Sequence, residues 1–328
     1  MRISLLLASA FAFSTLSAFA NGAKWETLPL GSVKAAGWLK AQLEVGKAGM
    51  GGHLDALEPD MVAKPFVDRS YDITKGGCTG NVGWCSEISG EYWLGLVELA
   101  YTLDDPELKA KADDWVRKTL ALQEEDGYLG SYRKTDNRFE DFHPWGSRLC
   151  YRALLYYYEM TGDRKYLDAV HKGLLWFVKN WTDDKFTDYV GDTVIEQMAL
   201  VAKLTGDRSL VDWCDRYAAF HDKRGNGNTF HKQSLEVGKN HVGALATRAV
   251  LPALLWEADG KKGSLLASER HMGNGFVIRG CRFGSTRARG RCGRRRRPRG
   301  CGRPRMSWMT FMTSTAGSRR SRRGRRRP

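Results

Sequence analysis

The sequence predicts an all-α array of helical hairpins, and three observations carry that prediction. Residues 149–181 divide into an oily segment, a Met160-Thr-Gly-Asp163 break and an amphipathic segment whose apolar residues recur at three- and four-residue steps. The same oily-then-amphipathic unit occurs once upstream and twice downstream. The spacing between units, roughly 40 to 60 residues, is that of paired helices which each bury a face against the next pair. The oily helices form an inner layer and the amphipathic ones an outer layer. An open solenoid and a closed α/α toroid both meet this pattern, so periodicity leaves that choice open.

From the start of the chain, Met1-Arg2 precedes an apolar run, Ile3 to Phe13, and then Ala18-Phe-Ala20, a small-x-small cleavage pattern. Residues 1–20 read as a secretory signal peptide cut before Asn21, which implies a secreted or periplasmic location. A short membrane anchor is the alternative, but the run is below the roughly 20 residues that span a bilayer.

The first hairpin runs from Tyr92–Tyr101 through Leu103-Asp-Asp-Pro106 to Leu108–Leu122, with Pro106 suited to a first helical turn. In the second, Leu149–Tyr158 is apolar almost all the way round; Gly162 can take the left-handed conformation that ends it, and Asp163 can cap the following helix. The third passes from Val194–Leu204 through Thr205-Gly-Asp-Arg208 to Leu210–Phe220. The fourth begins at Ala244–Trp256, breaks at Ala258-Asp-Gly260 and restarts at Leu265–Glu269; Pro252 within it predicts a kink.

The formal charge of +15 suggests a nucleic-acid binder until its location is considered. Of the 52 basic residues, 20 are arginines in 270–328, where no lysine or acidic residue occurs. Residues 1–269 therefore hold 32 basic against 37 acidic residues, a net of −5, and no specific nucleic-acid partner is expected. Three readings compete for the tail: a functional basic arm that binds phosphates, a disordered linker that cannot bury a core, and the product of a frameshift near residues 270–280. The frameshift accounts together for the residue types, the missing acids and the severed fourth hairpin.

With the tail set aside, four cysteines remain. Cys150 and Cys214 lie inside helical repeats, where a cysteine is a small buried apolar residue. Cys78 and Cys85 flank a Gly-rich stretch and could close a small disulfide after secretion. No C-x-x-C pair occurs, and His221, His231 and His241 lack helical ligand spacing, so no metal site is read from the chain.

Where inner helices converge on one end, the loops leading into them line a cleft. Glu91-Tyr-Trp93 opens the first inner helix, Asp126-Gly-Tyr128 follows the first outer helix, Phe142-His-Pro-Trp145 precedes the second inner helix, and Asn240-His241 precedes the fourth. Aromatic rings, carboxylates and histidines around a cleft suit a sugar site, the rings stacking on apolar sugar faces and the polar groups bonding hydroxyls. The candidate binding residues are His143 and His241, then Asp126, Tyr128, Trp145 and Glu196. Each has a plainer reading. Tyr92 and Trp93 serve as core, Asp126-Gly127 as a turn, and Glu196 as the partner of an arginine such as Arg148 or Arg248.

Leu28–Lys40, Gly52-His-Leu-Asp55, Tyr92–Tyr101, Gln123 with Asp126-Gly-Tyr128, and Tyr156–Asp163, in that order and spacing, resemble glycoside hydrolase family 127, which includes the β-L-arabinofuranosidases. The resemblance covers about residues 25–272. It implies an (α/α)6 barrel and retaining hydrolysis by a glutamate acid/base and a cysteine nucleophile held on zinc by further Cys and Glu ligands, the metal keeping the sulfur deprotonated. In the family those groups lie beyond the fourth hairpin, where this chain has its arginine-rich tail; Cys281, Cys292 and Cys301 match no family motif. The second inner helix also begins His-Pro-Trp where many members have His-Glu-Leu-Tyr.

The expected organisation is a signal peptide over 1–20, the N-terminal portion of an incomplete (α/α)6 toroid over 21–272, and a disordered tail over 273–328. The expected function is that of a secreted β-L-arabinofuranosidase-like hydrolase with a carbohydrate substrate, inactive as this truncated chain, with no catalytic residue, metal or membrane span of its own. A non-catalytic carbohydrate-binding or scaffold protein with a genuine basic tail is one rival. Another α/α-toroid enzyme, an unsaturated uronyl hydrolase or lyase working without zinc, is the other.

Overall fold

In the computed structural model the described residues are 27–75, 77, 80–140, 142–186, 194–224, 242–261 and 266–269. All fall within a unit spanning Met1–Gly284, while a second unit, Ser285–Pro328, lies outside the described residues. So do the expected signal peptide and the tail over 273–328. The described secondary structure is helical throughout, without strands.

Two short helices, α1 (Gly37–Ala48) and α2 (Met50–Leu57), lead through a π-helical turn at Pro59–Ala63. Four inner helices follow, α3 (Val82–Leu103), α5 (Phe142–Thr161), α7 (Ile195–Thr205) and α9 (Val242–Asp259), alternating with outer helices α4 (Pro106–Ala121), α6 (Arg164–Asn180) and α8 (Arg208–Arg224). Each inner helix packs on the next, α3 on α5, α5 on α7 and α7 on α9, and α4, α6 and α8 back α3, α5 and α7. The fold is the all-α hairpin array that the sequence predicts. No helix among the described residues is long and apolar enough to cross a membrane.

The breaks between helices follow from their residues. Asp104, at φ 60, ends α3 in the left-handed region, and Asp105 caps α4 by accepting from the Glu107 and Leu108 amides. Gly162, at φ 70, ends α5, and the Asp163 carboxylate accepts from the Lys165 amide at 3.0 Å. Gly206 and Asp207 repeat the device between α7 and α8.

Two boundaries differ from expectation. α3 starts at Val82, capped by Asn81, whose side chain accepts from the Gly83 amide at 2.8 Å; Glu91 is therefore mid-helix rather than an opening residue. Gly83, in the Gly-rich stretch, and Gly90 are packing residues: a Cβ at Gly83 would lie 2.5 Å from Phe142, and one at Gly90 would lie 2.9 Å from Gly146. α5 starts at Phe142, so His143-Pro-Trp145 is its first turn rather than its approach. Pro144 is tolerated there because the first amides of a helix have no partner within it.

The close approach of α3 and α5 fixes the middle of the array. Gly83 meets Phe142, Gly90 meets Gly146 and Leu149, and Glu98 meets Tyr156, so the two helices run parallel. The aromatic core lies between α3 and α4, where Trp93 and Trp115 stack with centroids 5.2 Å apart, and around α8, where Trp213 and Tyr217 stack at 5.4 Å. Cys150 and Cys214 are buried and free, as read from their positions, and Cys85 is disulfide-bonded; Cys78 lies outside the described residues.

Candidate functional site

Because α3 and α5 are parallel, the described residues leading into them, within 58–75 and 122–140, meet at one end. Arg69 ties them together: its Nε donates to the Gly130 carbonyl at 2.9 Å, Nη2 to the Leu122 carbonyl at 3.2 Å, and Nη1 pairs with Glu124 at 2.6 Å. Glu124 also holds Arg138 at 2.5 Å and lies 3.7 Å from Lys134. Burial raises its affinity for a proton, but Arg138 and Arg69 outweigh that and hold the carboxyl below the usual carboxylate range. Gln123, Glu124, Glu125, Asp126, Lys134 and Arg138 line an open polar pocket of ≈ 660 Å³ here.

Beneath that pocket lies an aromatic box. The Arg138 guanidinium carbon is 3.5 Å from the Tyr128 ring centroid, and the rings of Tyr128, Tyr132, Trp176 and Phe177 surround His143 with centroids 4.9–5.6 Å away. His143 is fully buried, and its Nδ1 sits 2.7 Å from the Arg138 carbonyl. A carbonyl only accepts, so Nδ1 carries the proton. Nε2 is then a bare acceptor, enclosed and without a partner. Burial pushes the imidazole down to about 3. The expected candidates Asp126, Tyr128 and His143 are thus brought together, but largely with one another: Asp126 accepts from the Tyr128 amide and from Trp176 Nε1, each at 3.0 Å, and the Tyr128 hydroxyl accepts from the Tyr132 amide at 3.1 Å. Of the three only Asp126 is exposed; Tyr128 and His143 present no polar atom to a ligand.

Trp145 and Glu196 lie elsewhere. Two helical residues span about 200°, so Trp145 points away from the face of α5 that buries His143. It heads a half-buried stripe, Trp145, Arg148, Arg152, Tyr156 and Glu159, on the side of α5 turned from α4 and α6. The Arg148 guanidinium lies 5.2 Å from the Trp145 ring. Arg152 lies 4.3 Å from the Tyr156 ring and pairs with Glu159 at 3.3 Å, and the Tyr156 hydroxyl donates to Glu98 of α3 at 3.0 Å. Burial raises the Glu159 carboxyl above its usual range, opposed by Arg152. Glu196, in the first turn of α7, is half-buried, and its charge helps hold the proton on Arg152. No ion pair joins Glu196 to Arg148 among the described residues, and the side chain of Arg248, the other expected partner, lies outside them. At the mouth of the stripe Trp84, 45% exposed, lies with its ring 5.6 Å from Phe142.

His241 lies outside the described residues. Arg69, Glu124, Arg138 and Arg152 were not singled out from the sequence as site residues, and no local signal marks them, since their partners are brought by the fold. The zinc-cysteine centre implied by the sequence resemblance does not fit the described residues. No three of their His, Cys, Asp or Glu side chains are placed to hold a metal ion, and burial pushes the Cys150 and Cys214 thiols up, away from the thiolate that a metal or a nucleophile needs. What the inner face can do is bind: rings for apolar sugar faces, guanidinium and carboxylate groups for hydroxyls.

A family model described as β-L-arabinofuranosidase, GH127 catalytic domain, matches residues 33–270. No curated protein matches the chain.

Proposed function

This chain belongs to the GH127 β-L-arabinofuranosidase catalytic-domain family, and we propose that it binds a glycan along the inner face of α3, α5 and α7 without completing a hydrolytic centre. The observation that most supports the reading is the division of chemistry between the two faces of α5. Trp145, Arg148 and Arg152 are half-buried on the inner face, while Cys150 of the same helix is enclosed in the core. The proposed ligand is a complex glycan bearing L-arabinofuranosyl units. The proposed setting is outside the cytoplasm, from the leader-like residues 1–20.

The test is twofold: calorimetric titration with arabinan oligosaccharides, and incubation with an aryl β-L-arabinofuranoside with and without added zinc. The expected result is saturable binding, weakened about three- to tenfold by Trp145→Ala through loss of ring contact, with no aglycone released. Zinc-dependent release would overturn the non-catalytic part of the reading. Absence of saturable binding would overturn the glycan-binding part.

A further inference from the structure

We infer that Arg148 is placed to receive a carboxylate, so that the glycan bound on the inner face carries uronic acid residues; this rests on the glycan-binding reading above. Arg69, Arg138 and Arg152 each hold a glutamate, yet no carboxylate among the described residues pairs with Arg148. Its Nε is enclosed and has no hydrogen-bond partner. A buried donor left unmet is costly, and a half-buried guanidinium without an anion more so. Its surroundings offer that anion a place. The guanidinium lies 5.2 Å from the Trp145 ring, with the Trp84 and Phe142 rings at the same end of the helix pair.

A uronic acid matches both features within one residue: an apolar ring face for the indole and a carboxylate on C5 for the guanidinium fork. A neutral arabinofuranosyl unit satisfies the ring and leaves the cation unmet. The parallel α3 and α5 also direct the positive ends of their dipoles toward this mouth, which favours an anion further.

Glu159 is held by Arg152 and Glu98 accepts from Tyr156, so neither of these acids pairs with Arg148. Nor does overall charge create the attraction, because residues 1–269 are net acidic. The 20 arginines of 270–328 are a different matter, since they attract any polyanion.

The test uses the full chain, so that this tail is the same in every variant. Trigalacturonate and its methyl ester, which differ in charge at the carboxyl, are titrated calorimetrically at 0.15 M salt, beside an arabinan oligosaccharide. The expected result is that the acid binds at least about tenfold tighter than the ester, as one charge-assisted fork would give. Arg148→Gln should bring the two affinities together, and Arg148→Lys should keep part of the preference, having charge without the fork. Thermal melting of Arg148→Gln at or above the parent's temperature would show that it folds, as removal of an unpaired cation predicts. Equal binding of acid and ester by the parent overturns the inference, as does an acid preference that survives Arg148→Gln, which would place the binding on other cations. Binding of the arabinan alone overturns the carboxylate and leaves the glycan reading intact; binding of none of the three overturns both.

Discussion

His143 donates from Nδ1 to the backbone carbonyl of Arg138 at 2.7 Å, and the same arginine's guanidinium covers Tyr128 at 3.5 Å, so one residue closes the aromatic box from both its main chain and its side chain. The imidazole inside is neutral, and burial holds its pKa near 3 against an ordinary 6.5. The unfolded chain takes up the proton first as pH falls. This contribution to stability is therefore complete above about pH 6.5 and is lost below it, at up to about 1.4 kcal/mol per pH unit until the folded value is reached. His143→Asn keeps an N–H for the carbonyl and does not titrate. Urea melts at pH 7.5 and pH 5 should show a smaller pH difference in that variant than in the parent.

Glu124 is expected to be the costliest acid to neutralise. With Arg69, Arg138 and Glu124 side chains only 11–14% exposed, Glu124→Gln leaves two enclosed guanidinium groups short of a charge, a loss of roughly 3 kcal/mol. Its lowered pKa works in the same sense as that of His143: the stabilisation is full above the ordinary carboxylate range and disappears as pH falls through the folded value. The variant should melt lower at pH 7 and differ less from the parent near pH 3.

Two glycines on inner helices are expected to respond with opposite signs. A Cβ at Gly146 would sit 1.9 Å from Ser86 Oγ and 2.7 Å from the Ser86 backbone, whereas one at Gly95 would meet nothing within 4 Å. Gly146→Ala must push α3 and α5 apart and should cost about 3 kcal/mol or leave the chain unfolded. Gly95→Ala adds helix propensity in open space and should stabilise by roughly 0.5–1 kcal/mol. Chemical denaturation of the two variants side by side measures both.

Cys150 and Cys214 should resist alkylation in the folded protein, since both are buried and their thiols are pushed up by burial. Mass-spectrometric mapping after iodoacetamide at pH 8 should find them modified only once denaturant is added. Modification of either in native buffer would mean that the helices around it open.

How far the sequence could be read is clear from particular residues. Gly162-Asp163 marks the turn between α5 and α6 because a left-handed glycine followed by a capping acid is a local signal. The start of α3 is hidden because Gly83 falls in a Gly-rich stretch, and only the arrival of α5 shows Gly83 and Gly90 to be the surfaces on which two helices meet. His143 and Trp145 stand two residues apart and were read together as cleft residues. Which of them is enclosed depends on the helix having begun at Phe142. The Arg69, Glu124 and Arg138 cluster joins residues 55 apart in the chain, and no spacing rule reaches so far. Arg148 was considered as a partner for Glu196. Its lack of an anionic partner appears only once the fold pairs Arg152, one turn on, with Glu159.

α1 buries none of its residues, and Trp38 and Val45 on it are 81% and 67% exposed. In a stack whose units are stabilised by their neighbours, such a helix has little to lose by detaching. Its amides should exchange with solvent through local fraying, while those at the centre of α5, where Ala153, Leu154 and Leu155 are fully enclosed, wait for the whole array to open. The array is thus graded in cohesion along its length, and it would come apart from α1 inward.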